Sequence, residues 1–409
     1  TGYTVRLEDS SPVQVSKPFK VLGRDDHPAP SWYQSQVGKI GPTGSATQWF
    51  GYVTMRDGVQ LSVTVRLPGP VAKGPYPTVL EYSGYGVSKH DATEPGSMIA
   101  GLLGYATVGI NMRGTGCSGG VFHVFNTAQQ VDGYDAVEAI ARQPWVKGNK
   151  VGMVGLSYSG ISQLYVAATQ PPSLAAITPL SVIKDPWLEQ WPGGVYNGGF
   201  TRRWLSERDS QASANGFSWV DKRIKGGDQT CAAVQDLREQ NLDFEYFGRS
   251  LVHRSVMADG RDLSKLVAKI KVPVYLSGAF QDEQTGPQFG DMLGNFTGTK
   301  VHKFTLMNGR HPDGYTPQIL TRWFEFLELY VNQKVPRISD GFRHVAPAFF
   351  EDSFGTPGLT FEPDRFTAYA DTDLAGVRKA FEATPDVRVL FERGMGGEVS
   401  GGPREGGGA

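Results

Sequence analysis

The sequence predicts an α/β protein with a mostly parallel sheet, helices on both of its faces and a separate helical insertion. Short apolar runs alternate along much of the chain with stretches in which apolar residues recur at helical spacing. This alternation is typical of parallel sheets, because the connection between two parallel strands crosses a face of the sheet as a helix. Residues 183–270, rich in Trp, Tyr, Phe and Gly, break the alternation and indicate the insertion.

The first predicted element is an antiparallel hairpin. Residues Tyr52 to Leu67 form two runs of alternating apolar and polar residues joined by Asp57-Gly58, a pair that favours a tight turn. Helices are expected at Asp135 to Arg142 and at Thr316 to Asn332. The parallel strands are expected at the later apolar runs: TVLEYS from Thr78, ATVGINM from Ala106, VGMVGLS from Val151, LAAITPLSV from Leu174, VPVYLSG from Val272 and HKFTLMNG from His302.

These elements divide the chain into four regions. The core is expected in two parts, residues 1–182 and 271–336, with a helical lid at residues 183–270 inserted between them. After residue 336 the composition shifts to Pro, Gly and Phe, with one strand pattern, VRVLFERG from Val387. We therefore expect residues 337–409 to be an incomplete β-rich region ending in a disordered or linker-like Gly-rich tail.

The charge balance excludes several classes of partner. The formal net charge is -1, so no overall field favours nucleic acid or an anionic membrane, and a small neutral ester or amide, or a peptide, suits the chain better. No apolar run is long enough to cross a bilayer. The chain begins Thr-Gly-Tyr-Thr without an initiator Met, from which we expect a leading segment to have been removed. Secretion or a cell-envelope location is expected, with the cytoplasm as the alternative.

The two cysteines, Cys117 and Cys231, do not have the spacing of a metal site. We expect neither a metal nor a cofactor. Two isolated buried thiols and one long-range disulfide are both compatible with the sequence, and a disulfide would favour an exported protein.

The strongest local motif is KVGMVGLSYSGISQL from Lys150, an apolar strand that runs through a small-residue turn into an apolar helix. A serine at such a turn adopts strained dihedral angles, and its neighbours must be small so that strand and helix can approach. Ser157 has Gly155 two residues before it and Ser159 two residues after it, with Gly160 next, a slight departure from G-x-S-x-G. In the alternative interpretation Ser157 is only a small turn residue.

A nucleophilic serine at this turn is typical of the α/β-hydrolase fold, whose following helix directs its amides toward an oxyanion. In that fold the catalytic residues follow the order Ser, then Asp or Glu, then His, which leaves His302, His311 and His344 as candidate bases. His302 alternates within an apolar strand, and His344 lies beyond the last helix of the sheet. We therefore predict His311, in the polar loop NGRHPDGY, as the base.

The loop AFQDEQTG offers Asp282 and Glu283 as the acid, and Asp185 lies after the preceding strand. We predict Asp282, because its strand should lie beside the strand that precedes His311. Asp185 is the second candidate, and a turn or helix-capping role is the alternative for Asp282.

Several motifs between Tyr52 and Val335 resemble the cocaine-esterase-type hydrolases, which are related to Xaa-Pro dipeptidyl peptidases and α-amino acid ester hydrolases. They are MRDGVQL, EYSGYGVSK, GYATVGINMRGTGCSGG, QVDGYDAVEAIARQPWVKGNKVGMVGLSYSG, SGAFQDEQTG and GRHPDGY. The resemblance implies a triad of Ser157, Asp282 and His311, and an oxyanion hole formed by the Tyr85 hydroxyl and the Tyr158 amide. It also implies a C-terminal jelly-roll domain, of which only the first strands would fit. The chain departs from the family at Gly84, where a proline usually precedes the tyrosine.

The expected activity is therefore ester or amide cleavage through an acyl-enzyme. The aromatic residues of the lid suggest a pocket for bulky apolar or aromatic acyl groups, although they could equally form ordinary lid core: Trp187, Trp191, Tyr196, Phe200, Trp204, Phe217 and Trp219. The close alternative is an Xaa-Pro dipeptidyl peptidase, for which Glu189, Glu207 and Asp209 could bind the substrate amine. A non-catalytic binding scaffold is the alternative from another functional class.

Overall fold

A computed structural model of the protein describes residues 3–7, 11–18, 21–355 and 357–390. The strands are β1 Arg6–Leu7, β2 Gln14–Val15, β3 Gln48–Thr54, β4 Gln60–Arg66, β5 Thr78–Ser83, β6 Ala106–Asn111, β7 Val151–Met153, β8 Leu174–Ile177, β9 Val274–Ala279, β10 His302–Met307 and β11 Val387–Leu390. β3 to β11 form one nine-stranded sheet in the order β11-β10-β9-β8-β7-β5-β6-β4-β3, and β1 and β2 pair separately.

The helices outside the insertion are α1 Pro30–Gln34, α2 Pro95–Leu102, α3 Thr127–Ala141, α4 Tyr158–Ala167, α12 Pro317–Leu327, α13 Asp340–Phe354 and α14 Leu374–Glu382. The insertion contains α5 Pro186–Gln190, α6 Phe200–Ala212, α7 Ser218–Lys225, α8 Gln229–Gln235, α9 Phe244–Ser250, α10 Val256–Asp259 and α11 Leu263–Leu266. Short 3-10 turns lie between several of these helices, and a π-helical turn, Glu328–Asn332, continues α12.

The predicted hairpin and the mostly parallel sheet are confirmed. β3 and β4 pair antiparallel around the turn at Asp57-Gly58, where Gly58 has a positive φ of 86°. β4 is also antiparallel to β6, whereas every pairing from β6 across the sheet to β11 is parallel. The carboxyl ends of the parallel strands therefore lie along one edge of the sheet, where loops of an α/β fold converge.

Alternate residues of the central strands enter two separate apolar cores. Leu80 and Tyr82 of β5 pack with α3 and α4 on one face, whereas Val79 belongs to the core formed by α2 and α12 on the other. Because both faces are covered, all six residues of β5 are buried.

The insertion is attached to the core by a disulfide between Cys117, in the loop after β6, and Cys231, in α8. The two Cα atoms are 4.6 Å apart and separated by 114 residues of sequence. Trp219 and Val220 of α7 pack against the two cysteines in a small apolar cluster. The sequence left open two isolated thiols or one disulfide, and the structure shows the disulfide.

The expectation of a β-rich region after residue 336 is wrong for the residues that the structure describes. This part forms α13, α14 and only β11, which pairs parallel with β10 and extends the main sheet. An alternating VRV pattern indicates a strand but not its partner, and the open edge of β10 offered unpaired main-chain groups. Val377 and Phe381 of α14 pack into the second core. The remainder of VRVLFERG and the Gly-rich tail lie outside the described residues.

Candidate active site

Ser157 occupies a strained turn between β7 and α4. Its backbone has φ 61° and ψ −124°, a conformation that is rare for a residue with a side chain. The turn is fixed from both sides, since the Ser157 amide donates to the Leu180 carbonyl at 2.9 Å and its carbonyl accepts from the Ile161 amide at 2.7 Å. The serine is therefore held at the start of a helix, whose first amides have no partner within the helix.

The small residues around Ser157 are required by close approaches of the backbone. Gly155 has φ 134°, and a Cβ there would lie 2.4 Å from the Ser159 Cβ. A Cβ at Gly160 would lie 2.5 Å from the carbonyl oxygen of Leu180. The departure from G-x-S-x-G is thus explained: Ser159 is tolerated because Gly155 leaves room for it, and the second essential glycine is Gly160.

His311 and Asp282 lie at the ends of neighbouring strands and contact each other. His311 Nδ1 is 2.8 Å from Asp282 Oδ2 and 3.0 Å from Oδ1, and both side chains are buried. The other ring nitrogen, His311 Nε2, is buried without a hydrogen-bond partner among the described residues. A neutral imidazole with Nδ1 protonated toward the carboxylate would keep Nε2 free to accept a proton.

Asp282 is held as a carboxylate by the loop that carries it. Its Oδ1 accepts the amides of Gln284 and Thr285, each at 2.8 Å, and its Oδ2 accepts the Thr285 hydroxyl at 2.7 Å. Burial by itself raises the pKa of Asp282, but the hydrogen bonds from His311 and Thr285 outweigh it and hold the pKa below its usual value. The aspartate therefore remains an anion beside the imidazole at neutral pH.

The other candidate acids have different partners. Asp185 caps α5 by accepting the Trp187 amide at 2.9 Å, and it also pairs with Arg254 inside the insertion. Glu283 accepts the main-chain amide of His311 at 3.1 Å, so it contacts the loop and not the ring.

The other candidate bases lie elsewhere. His302 stacks on Phe304 within β10 and lies 3.4 Å from Asp386. His344 is exposed on α13.

Tyr85 and Tyr158 both adjoin the serine. The Tyr85 hydroxyl is 3.5 Å from Ser157 Oγ, and its ring packs edge-on against the ring of Tyr158, whose amide begins α4. Gly84 is also explained, because a Cβ there would lie 2.7 Å from the Tyr158 ring. The ring of Tyr158 occupies the space that a proline at this position would need.

Sequence reasoning missed the contact between Trp204 and Tyr85. The indole Nε1 of Trp204, in α6, donates to the Tyr85 hydroxyl at 3.1 Å, and the Arg208 guanidinium lies 4.7 Å from the centre of the Tyr85 ring. These residues are more than a hundred positions from Tyr85, and no local pattern relates them.

Two cavities meet at Ser157. The first, the narrow pocket, has a volume of about 70 Å³ and is bounded by Ile161, Ile183, Glu189, Phe200, Trp204 and Leu205. The second, the wide cleft, has a volume of about 420 Å³ and is bounded by Glu81, Tyr85, Glu94, Met98, His311 and Phe349. The serine thus has an apolar wall on one side and a more polar one, which includes His311, on the other.

Only some of the predicted lid aromatics border the serine. Phe200 and Trp204 bound the narrow pocket, whereas Trp187 borders a separate small cavity between the insertion and His123 and Val124 of the core. Of the remaining rings, Trp191 packs against Tyr196 within the insertion, and Phe217 packs against Trp219, which also contacts Phe50 of the core. The interpretation as ordinary lid core therefore holds for most of them.

Of the three carboxylates considered for binding a substrate amine, Glu189 alone bounds the narrow pocket. Burial, together with the nearby carboxylates of Asp282 and Asp185, raises the pKa of Glu189 to about 8. Asp209 instead accepts the main-chain amides at the start of α9, and Glu207 is largely exposed beside Arg208.

The described part of the chain contains neither a cluster suited to a metal ion nor a helix suited to crossing a membrane. No cluster of three or more His, Cys, Asp or Glu side chains is arranged to hold a metal ion there. Nor does any helix within it have the length and apolar character needed to cross a membrane.

Comparison with known proteins relates this chain to one family. Residues 57–313 match the family model described as X-Pro dipeptidyl-peptidase (S15 family). A cocaine esterase of Rhodococcus sp. is 36% identical over 150 residues, which make up 35% of this chain and 25% of that relative. A Mycobacterium bovis protein named as a candidate serine esterase is 30% identical over 173 residues, 37% of this chain and 27% of its own length. The matches thus span about a quarter of these relatives.

Solved structures show the same fold. A CocE/NonD family hydrolase of Staphylococcus aureus has a TM-score of 0.55 at 20% identity, with 73% of this chain and 52% of that chain covered. An α-amino acid ester hydrolase has a TM-score of 0.52 at 17% identity, with 86% and 58% covered. These matches confirm the α/β-hydrolase fold, and the family model and the cocaine esterase match confirm the resemblance that the sequence motifs indicate.

Proposed function

Because the chain belongs to the X-Pro dipeptidyl-peptidase (S15) family, we propose that it is a serine hydrolase that cleaves esters or amides through an acyl-enzyme. The observation that carries this proposal is the buried Asp282–His311 pair: His311 borders the same cleft as Ser157, and its Nε2 has no hydrogen-bond partner among the described residues. In the proposed triad Ser157 is the nucleophile, His311 the base and Asp282 the residue that orients the base.

The proposed reaction passes a proton through His311 in each of its two halves. His311 Nε2 takes the proton of Ser157 Oγ while the oxygen attacks the substrate carbonyl, and Asp282 stabilises the imidazolium that forms. The imidazolium then protonates the leaving group as the tetrahedral intermediate collapses to an acyl-serine. In the second half, His311 removes a proton from water as the water attacks the acyl-serine, and it returns that proton to Ser157 Oγ when the carboxylic acid leaves.

The negative charge on the carbonyl oxygen requires donors that are already oriented. The Tyr85 hydroxyl, 3.5 Å from Ser157 Oγ, and the Tyr158 amide, the first of α4, are the proposed pair. The positive end of α4 adds to their effect.

The narrow pocket supports an acyl group of apolar character. Its walls are mainly aliphatic and aromatic, with Ile161, Phe200 and Trp204 among them. Because His311 borders the wide cleft, the acyl group would occupy the narrow pocket and leave the base facing the leaving group.

An aminopeptidase of the Xaa-Pro dipeptidyl type is the second candidate, and Glu189 is the observation that favours it. A carboxylate in the pocket beside the nucleophile could pair with the amino terminus of a peptide. The raised pKa of Glu189 would return toward its usual value when such a cation binds.

Fluorophosphonate labelling separates an enzyme from a non-catalytic binding scaffold. We expect the wild-type protein to be labelled at Ser157 and Ser157→Ala to be inert while retaining its melting temperature, because the hydroxyl supplies the bond-forming atom. Labelling that persists in Ser157→Ala would remove the serine from this role. A panel of aryl esters and Xaa-Pro anilides would then distinguish the esterase from the peptidase, with esters expected to be the better substrates.

We also propose that the protein acts in an oxidising compartment outside the cytoplasm, with the cytoplasm as the alternative. The disulfide between Cys117 and Cys231 supports this location, since such bonds persist mainly in secreted and envelope proteins.

A further inference from the structure

The wide cleft contains two carboxyl groups that the proposed triad does not use. Glu81, on β5, is 2% exposed and accepts the Ser97 hydroxyl at 2.6 Å. Glu94, just before α2, is half-buried, and its carboxylate makes no hydrogen bond or ion pair with the part of the chain that the structure describes. Both groups border the same cavity as Ser157 and His311.

Among the described residues, no lysine or arginine lies within ion-pair distance of either carboxyl group. Burial, with the carboxylate of Glu94 next, raises the pKa of Glu81 to about 7, and burial also raises the pKa of Glu94. The charge of Lys89 lowers the pKa of Glu94 from beyond ion-pair distance, and Lys89 Nζ instead lies 4.0 Å from Asp91 Oδ1. Ionising two neighbouring carboxyl groups that border one cavity and have no ion-pair partner among the described residues is unfavourable, and a bound cation would relieve both.

The position of His311 indicates which part of a substrate reaches these groups. The leaving atom must come within hydrogen-bond distance of His311 Nε2, which is buried and unpartnered and belongs to a residue that borders the wide cleft. The narrow pocket, as the described residues outline it, is bounded by Ser157 but not by His311. The leaving group therefore extends into the wide cleft, toward Glu81 and Glu94.

We propose that Glu81 and Glu94 form a subsite for the leaving group and select leaving groups that carry a positive charge, of the alkylammonium class. The assignment rests on the proposed hydrolase function and adds a substrate class to it. The exposed side chain of Met98 and the ring of Phe349 supply apolar surface for the alkyl part of such a group.

A matched pair of esters tests the proposal. Choline and 3,3-dimethylbutanol have nearly the same shape and differ in charge, so esters of both with one apolar acid isolate the effect of the cation. We expect the wild-type protein to hydrolyse the choline ester with a kcat/KM at least about tenfold higher. Equal values for the two esters in the wild-type protein would overturn the subsite.

Substitution of the carboxylates locates the effect. Glu94→Gln removes the half-buried, unpaired charge and should reduce the choline preference several-fold, and Glu81→Gln should act in the same direction. Glu94 is the first choice because Glu81 also anchors Ser97 and its loss could disturb folding. The matched control is Glu351→Gln, an exposed position on α13, which should keep the wild-type preference. A preference that survives in both Glu94→Gln and Glu81→Gln would contradict the assignment.

Equilibrium binding distinguishes failure of the subsite from failure of the hydrolase proposal. Choline should bind to Ser157→Ala, measured by calorimetry, and bind more weakly when Glu94→Gln is added. Absent hydrolysis together with Glu94-dependent choline binding would remove the hydrolase proposal and keep the subsite. Hydrolysis of both esters without choline binding would remove the subsite and keep the hydrolase proposal.

Discussion

The indole N–H of Trp204 donates a hydrogen bond to the hydroxyl of Tyr85 at 3.1 Å. An indole nitrogen can only donate, so the phenol oxygen accepts in this contact and its own proton is left for another partner. Ser157 Oγ lies 3.5 Å from the same hydroxyl. A helix of the insertion thereby orients the proposed oxyanion donor of the core.

Replacement of Tyr85 by Phe keeps the ring and removes only the donor. We expect Tyr85→Phe to lower kcat by on the order of 10²-fold, as for other lost oxyanion donors, with little change in melting temperature. Steady-state kinetics on an aryl ester and a thermal melt provide the two measurements. Near wild-type turnover would return Tyr85 to a packing role beneath α6.

Trp204→Phe should lower kcat less, roughly fivefold, because it removes the hydrogen bond that orients the phenol and leaves the phenol in place. The informative measurement is the double variant, since Trp204→Phe should have little further effect on kcat once Tyr85 is Phe. Trp219→Phe is the matched control, because its buried indole nitrogen has no partner in the described structure. Additive losses of kcat in the double variant would assign Trp204 to packing alone.

Asp282→Asn should depress turnover far more than substrate binding, because an amide cannot hold His311 in the tautomer that leaves Nε2 free. The matched substitution Asp185→Asn should affect stability more than turnover, since Asp185 caps α5 and pairs with Arg254. The comparison requires kcat, KM and the melting temperature of both variants. A larger loss of kcat in Asp185→Asn than in Asp282→Asn would reverse the assignment.

Glu189 should make the protein less stable as the pH rises. Its pKa is about 8 in the folded protein and near 4.5 in an unfolded chain, so the folded state binds more protons between these values. The contribution of Glu189 to the free energy of unfolding is therefore full below pH 4.5 and is lost as the pH rises toward 8. Glu189→Gln should lack this loss, so urea denaturation should show the variant gaining stability relative to wild type across that window. A difference that does not vary with pH would mean that Glu189 is not buried as described.

Local patterns in the sequence predicted the strands, the turn at Ser157 and the order of the candidate residues. Periodicity and small residues are properties of neighbouring positions, so TVLEYS reads as a buried strand and GLSYSG as a tight strand-to-helix turn before any contact is known. Asp282 was also predicted to lie near His311, because consecutive parallel strands such as β9 and β10 are usually neighbours in a sheet.

Only the tertiary structure decided the contacts between distant segments. Three features depend on how separate elements pack together. They are the bond between Cys117 and Cys231, the choice of insertion rings that border Ser157, and the strand with which β11 pairs. Tertiary packing also decided the hydrogen bond from Trp204 to Tyr85 and the positions of Glu81 and Glu94 at the wide cleft. Each joins residues whose separation along the chain carries no information on their distance in space, because packing of buried surfaces, and not local conformational preference, brings them together.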